Sequence, residues 1–211
     1  GYTAFLSGAT MMPRGFGSML SMLITGTLSN KIDNRWFVVF GLALIGGSSL
    51  VFGSLNLQIS NMNIAIPNFF MGMGMGLSMV PIMNLSLDTL KNEQMTNATG
   101  IQNLLKNIGS AVGTSLVATM LTRFAQVHQY MLVGNTDELN PAFIERVQST
   151  TAALSAYTHH SVAQYMAQYS LYGQLVKQST LWAFIDSFRV FGILCLAVIP
   201  LLALIKKQKK A

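Results

Sequence analysis

Charged side chains are scarce: they fill 9% of the 211 positions, against 51% hydrophobic residues and a mean hydropathy of +0.46. A soluble domain carries charge at roughly a quarter of its positions, so a water-facing surface could not be covered and a soluble enzyme is excluded. Disorder is excluded as well, because the chain has ample apolar surface to bury. Cysteine is nearly absent: Cys195 lies alone in an apolar run, which leaves neither a disulfide framework nor a cysteine-based metal cluster. Gly1 is not followed by a signal peptide, and the chain reads as a piece of something longer. Catalytic signatures are lacking too. No H-E-x-x-H, G-x-S-x-G or Walker A sequence occurs. His128, His159 and His160 lie outside the apolar segments and read as solvated, so no buried base is available to a nucleophile. The expectation is a protein that is not an enzyme, with no metal and no cofactor.

What the chain has in plenty is apolar sequence, with 18 glycines and 14 methionines. Glycine on this scale suits packed membrane helices. A span needs ~20 apolar residues to cross a ~30 Å hydrocarbon core. Five such segments are expected, at about residues 4–29, 36–55, 63–87, 97–122 and 181–205. Pro13, Pro67, Pro81 and Pro200 interrupt three of them, which membrane helices tolerate because neighbours satisfy the freed carbonyls.

The net charge of +6 does not point to nucleic acid. Lys206, Lys207, Lys209 and Lys210 cluster in the last six positions, after an apolar run. They join Lys31, Arg35 and Lys91 on one side of the expected spans, while Arg123, Arg146 and Lys177 lie on the other. The excess of basic residues marks the cytoplasmic side. The first residue is thus expected outside and the C-terminus in the cytoplasm, of a bacterial inner membrane. The expected organisation is residues 1–124 as four spans, 125–180 as an external (periplasmic) amphipathic helical segment, 181–205 as the last span and 206–211 as a basic cytoplasmic tail.

In the external segment, Asn140-Pro141 is a good helix start. Phe143, Ile144 and Val147, and then Tyr165, Met166, Tyr169 and Tyr172, recur at helical spacing. Two amphipathic helices are expected, the second running into the last span, with its tyrosines and Trp182 at the membrane interface. Such a segment is either a loop lying on the membrane or a hairpin that docks a partner.

Polar residues inside spans carry the most information, since each should face protein or water. Ser7, Arg14, Ser18, Ser21 and Thr25 fall within an arc of about 60° on the first span. Asn103, Asn107, Ser110 and Thr114 repeat the arrangement on the fourth, flanked by Lys106. The second and fifth spans offer little of this kind. The first and fourth should therefore line a hydrated pathway. A single hydroxyl could instead bond to its own helix, and Lys106 could snorkel to the headgroups. A mid-span arginine is costly without water or a counter-charge. The third span reads Met71-Gly72-Met73-Gly74-Met75-Gly76. Its methionines suit an adaptable ligand surface or ordinary packing. Gly72/Gly76 and Gly109/Gly113 have the spacing that lets helices approach closely. Asp186, near the outer end of the last span, has Arg189 one turn away as an ion-pair partner.

Gly26, Leu28, Lys31 and Arg35 resemble the loop signature G-x-L-x-D-R-x-G-R-K/R of the major facilitator superfamily, with Asn30 in place of its aspartate and Asp33 in place of its second glycine. Asn97-Ala98-Thr99-Gly100, the run from Leu105 to Gly113 and Pro13-Arg14-Gly15 are similar to the fourteen-span drug:proton antiporters of the EmrB/QacA type, within them to the Emr-type export permeases. The resemblance implies an all-α polytopic membrane protein: the C-terminal part of a major-facilitator helical bundle, five transmembrane helices plus an external amphipathic segment. The five spans would be core helices eight to twelve, of which eight, ten and eleven border the central cavity. It further implies proton-driven multidrug efflux by alternating access, with amphipathic drugs and protons as the ligands. Partners would be the N-terminal half of the same permease, the lipid bilayer, and a periplasmic adaptor with an outer-membrane channel. The substrate pathway would use Arg14, Ser18, Ser21, Met71, Met75, Asn103, Lys106, Asn107 and Ser110. The rival readings are an exporter of a siderophore or metabolite in the same fold, and a non-transporting membrane scaffold.

Overall fold

The computed structural model describes residues 4–29, 31–56, 61–87, 94–134, 136 and 140–202. Among them are six helices and no strand: α1 (Ala4–Leu28), α2 (Asn34–Phe52), α3 (Asn61–Leu87), α4 (Met95–Val133), α5 (Pro141–Ser155) and α6 (His160–Leu202). Asn30, Lys91 and the lysine-rich tail of the sequence reading lie outside the described residues.

Four helices, α2, α3, α4 and α6, are long and apolar enough to cross a membrane. At 25 residues α1 has the length as well. It is not among those four, because Pro13, Arg14 and its serines and threonines interrupt its apolar run. The expected ends of two spans also shift. The fourth continues to Val133 as one helix of 39 residues, and the last is the final part of a helix of 43. At 1.5 Å per residue α6 is ~65 Å long, twice a hydrocarbon core. Tyr165, Tyr169 and Tyr172 are exposed on α6, and Trp182 is partly so.

The chain divides into two compact units. One comprises Gly1–Thr114 with Ser187–Ala211, and the other is Ser115–Asp186. In the first, α3 packs against both α1 and α2. Lipid is as apolar as a leucine side chain, so membrane helices associate through close backbone approach rather than through the hydrophobic effect. Glycine on α3 provides it. A methyl group at Gly72 would fall on the Arg14 carbonyl, and one at Gly76 on the Ser21 hydroxyl. On the opposite face a Cβ at Gly74 would stand 2.6 Å from the Gly41 carbonyl oxygen. The reverse contact, from Gly41 to the Gly74 oxygen, is 2.7 Å. Asn68, buried, adds a hydrogen bond from Nδ2 to the Thr10 carbonyl at 3.4 Å.

The end of α6 joins this unit through α2. A Cβ at Gly46 would lie 3.1 Å from the Gly192 oxygen, and Phe52 stacks on Phe188 with centroids 5.1 Å apart. The second G-x-x-x-G pair behaves differently. Gly109 and Gly113 on α4 have nothing within 4 Å of an added Cβ, and no residue of α4 is buried. Spacing alone did not distinguish a used motif from an idle one.

In the second unit α5 begins as its sequence indicates, with Pro141 in the first turn and Asn140 Oδ1 accepting from the Ala142 amide at 3.1 Å. Thr151, Ala163, Ala167 and Ser179 are buried within this unit.

The glycine contacts predict an asymmetric response to one added methyl. Gly72→Ala should lower the thermal stability of the purified chain by the equivalent of about 1–3 kcal/mol of overpacking, because Arg14 backbone must move. Gly109→Ala should be neutral or slightly stabilising, since alanine favours helix and meets open space. A thermal melt monitored by tryptophan fluorescence compares the two directly.

Candidate functional site

The polar stripe of α1 divides by depth of packing. Ser21 and Thr25 are fully buried, and their hydroxyls donate to the carbonyls of Ser18 at 2.9 Å and Ser21 at 2.8 Å. These two are spent in helix packing, as the own-helix reading of single hydroxyls holds. Ser18 is half-buried and donates to the Gly15 carbonyl at 2.9 Å, while Ser7 is exposed. The upper part of the stripe stays open. Arg14 is half-buried, eleventh in the helix, so ~15 Å of rise below its start.

Arg14 Nη2 donates to Met75 Sδ at 3.1 Å. A thioether is a weak acceptor and brings no charge. Among the described residues no carboxylate pairs with this guanidinium. The contact follows from the fold: Gly72 sits on the Arg14 carbonyl, and Met75 lies one turn further along α3. Arg14 and Met75 are predicted pathway residues that the structure brings into contact from two different helices. Met71, also on α3, is half-buried.

Asn103, Lys106, Asn107 and Ser110 are all exposed on α4. So are Ile101, Leu104, Leu105, Ile108 and Val112 around them. In a bilayer the second set can face lipid, but the first cannot without water or a polar partner. One tie holds the start of α4 to the end of α3, Gln102 Nε2 donating to Ser86 Oγ at 2.8 Å. The loop-signature residues Gly26 and Leu28 end α1, Lys31 and Asp33 form the connection, and Arg35 lies in the first turn of α2.

Residues 1–114, which hold α1 to α3 and the first half of α4, match the family model of the Major Facilitator Superfamily. The chain belongs to that superfamily. Among its relatives in the superfamily, it is 23% identical to the uncharacterized MFS-type transporter YhcA of Bacillus subtilis (strain 168), over 100% of this chain and 40% of that protein. It is 29% identical to the probable multidrug resistance protein EmrY of Escherichia coli (strain K12), over 68% of this chain and 28% of that protein. With the colistin resistance protein EmrB of Acinetobacter baumannii it shares 25% identity, over 96% of this chain and 39% of that protein. The chain thus spans two fifths or less of the relatives it matches. No solved structure matches. Every pathway position lies within the part of the chain that carries the superfamily match.

One polar pair escaped the sequence reading. His128, expected to be solvated, donates from Nε2 to Asp186 Oδ2 at 2.7 Å, and its ring lies 6.1 Å from that of Trp182. Both side chains are partly exposed. Arg189, one turn from Asp186, donates from Nε to the Gly53 carbonyl at 2.9 Å. The two partners are 58 residues apart, so no local pattern could have paired them. A charge-assisted bond of this kind predicts that Asp186→Ala should destabilise the chain by at least about 1–2 kcal/mol in a denaturant or thermal melt. His128→Ala should cost less when added to Asp186→Ala than when made alone, because the bond the two share is already gone.

Proposed function

We propose that this chain is the C-terminal portion of a proton-motive-force-driven multidrug efflux transporter of a bacterial inner membrane. The observation that carries the reading is Arg14, a guanidinium at mid-span depth whose described partner is an uncharged thioether. A charge held there is stable only beside water or a counter-charge. The counter-charge comes from a carboxylate in the rest of the permease, where a proton or a cationic drug would compete for it. Exchange of partners at that carboxylate couples proton entry to drug exit. Met75 beside Arg14 supplies a soft, adaptable contact for amphipathic drugs. Asn103, Lys106, Asn107 and Ser110 line the same pathway from α4, and Ser18 and Met71 extend it. Alternating access follows from rocking of this bundle against the N-terminal one. The names of the relatives support the substrate class, since EmrY and the Acinetobacter EmrB are called multidrug and colistin resistance proteins. The exposed tyrosine face of α6, standing clear of the bilayer, is the surface offered to a periplasmic adaptor of an outer-membrane channel.

In a full-length permease carrying this chain, Arg14→Met should leave insertion intact and lower uncoupler-sensitive drug export at least about tenfold, as expected when one charge–charge contact is lost. Arg14→Lys should keep part of the activity. Full export by Arg14→Met would refute the coupling role. Export of a metabolite but no drug would select the rival substrate class, and no export at all the scaffold reading.

The basic residues put the Tyr157 turn outside and the start of α4 in the cytoplasm. On a Cys195→Ala background, Tyr157→Cys should react with a membrane-impermeant maleimide on intact cells. Gln94→Cys should react only after the membrane is opened. Labelling of Gln94→Cys from outside would invert the topology.

A further inference from the structure

Met71, Met75, Met79 and Met83 recur every fourth residue and so form one ladder along α3. Three of them are almost equally exposed, Met75 at 38%, Met79 at 42% and Met83 at 37%. Their surroundings differ in one respect. Arg14 Nη2 donates to Met75 Sδ at 3.1 Å, whereas among the described residues no side-chain donor meets Met79 or Met83. One thioether of the ladder thus carries a cation on its sulfur, and its two neighbours further along do not.

A thioether is a weak acceptor, and a mid-span arginine is costly without water or a counter-charge. One oxygen added to the sulfur improves the match. A sulfoxide oxygen bears a large partial negative charge, so the same N–H would make a charge-assisted hydrogen bond to it. Methionine reaches that state by reaction with an oxidant. A lone pair of Sδ attacks one oxygen of a peroxide, the S–O bond forms and the O–O bond breaks. Sulfur loses two electrons. The other oxygen leaves with them as hydroxide, takes the proton from the transferred oxygen and becomes water. Arg14 occupies one lone pair of the sulfur and leaves the second for the attack. Its Nη2 then stabilises the charge that grows on the incoming oxygen as well as the product. The site is within reach of solutes, since Arg14 is half-buried at the open end of its stripe and Met75 is exposed.

We propose that Met75 is a redox-modification site: a peroxide oxidises its thioether to the sulfoxide, and Arg14 holds the oxygen so gained. A guanidinium held in this way is withdrawn from any exchange of partners. Slower export under oxidising conditions follows, a consequence that rests on the coupling role proposed above for Arg14.

The test uses a full-length permease carrying this chain, reconstituted in liposomes and exposed to hydrogen peroxide for increasing times. Peptide mass spectrometry, with fragmentation to place each added oxygen, follows the methionines one by one. Met75 should be oxidised about tenfold faster than Met79 and Met83, the scale of one charge-assisted hydrogen bond made in the transition state. Arg14→Gln should bring Met75 to the rate of the other two, and Arg14→Lys should keep part of the advantage. Comparison of the three methionines needs no variant, so it decides the matter if Arg14→Gln does not fold. Full oxidation of Met75 should also lower drug export about tenfold, while peroxide-treated Met75→Leu should keep most of its own untreated rate. Equal oxidation of the three methionines, a Met75 rate indifferent to Arg14→Gln, or the same loss of export in Met75→Leu would each overturn the proposal. A permease that exports nothing before treatment contradicts the proposed function instead, and the oxidation rates alone then decide for or against the modification site.

Discussion

Backbone contact across α3 is the constraint on which the first unit depends. Water drives soluble helices together by expelling apolar surface, but lipid exerts no such force. What remains is dispersion between atoms brought close, and that attraction fades within an ångström of separation. Gly72 and Gly76 let α1 approach on one face, and Gly74 with Gly41 lets α2 approach on the other. The alternation of glycine with methionine along residues 71–76 serves both needs, since 100° per residue turns successive even positions to opposite sides. The glycines make the contact, and the methionines fill the irregular space beside it.

That packing also places Arg14. Because Gly72 rests against the Arg14 carbonyl, Met75, one turn further along α3, meets the guanidinium. Lower on the same helix, where Ser21 and Thr25 meet α3, polar side chains are satisfied inside the packing. One stripe thus serves two ends: Ser21 and Thr25 are buried with their hydroxyls bonded to their own helix, and Arg14 is left at the open end.

Polar residues on α4 have no such resolution within this chain. Asn103, Lys106, Asn107 and Ser110 stay exposed among leucines and isoleucines that are exposed as well. A helix with both kinds of side chain uncovered is suited to a lipid face and a protein face at once. The chain matches two fifths or less of its relatives' length.

Composition and periodicity alone determined that this is a helical membrane protein, where most spans lie, that α5 begins at Asn140-Pro141, and that Arg14 is the residue to explain. Those conclusions rest on transfer free energies and local capping, which act within a few residues and leave a direct mark on the sequence. Tertiary structure decided what local pattern could not: which of two identical glycine spacings is used, which half of the α1 stripe is buried, and that His128 meets Asp186 across 58 residues. It also showed that α6 runs unbroken for 43 residues, and that Asp33 and Arg35 share a cavity with the end of α6. In each case the outcome depends on what another helix brings to the same place, and that information is spread over the whole chain.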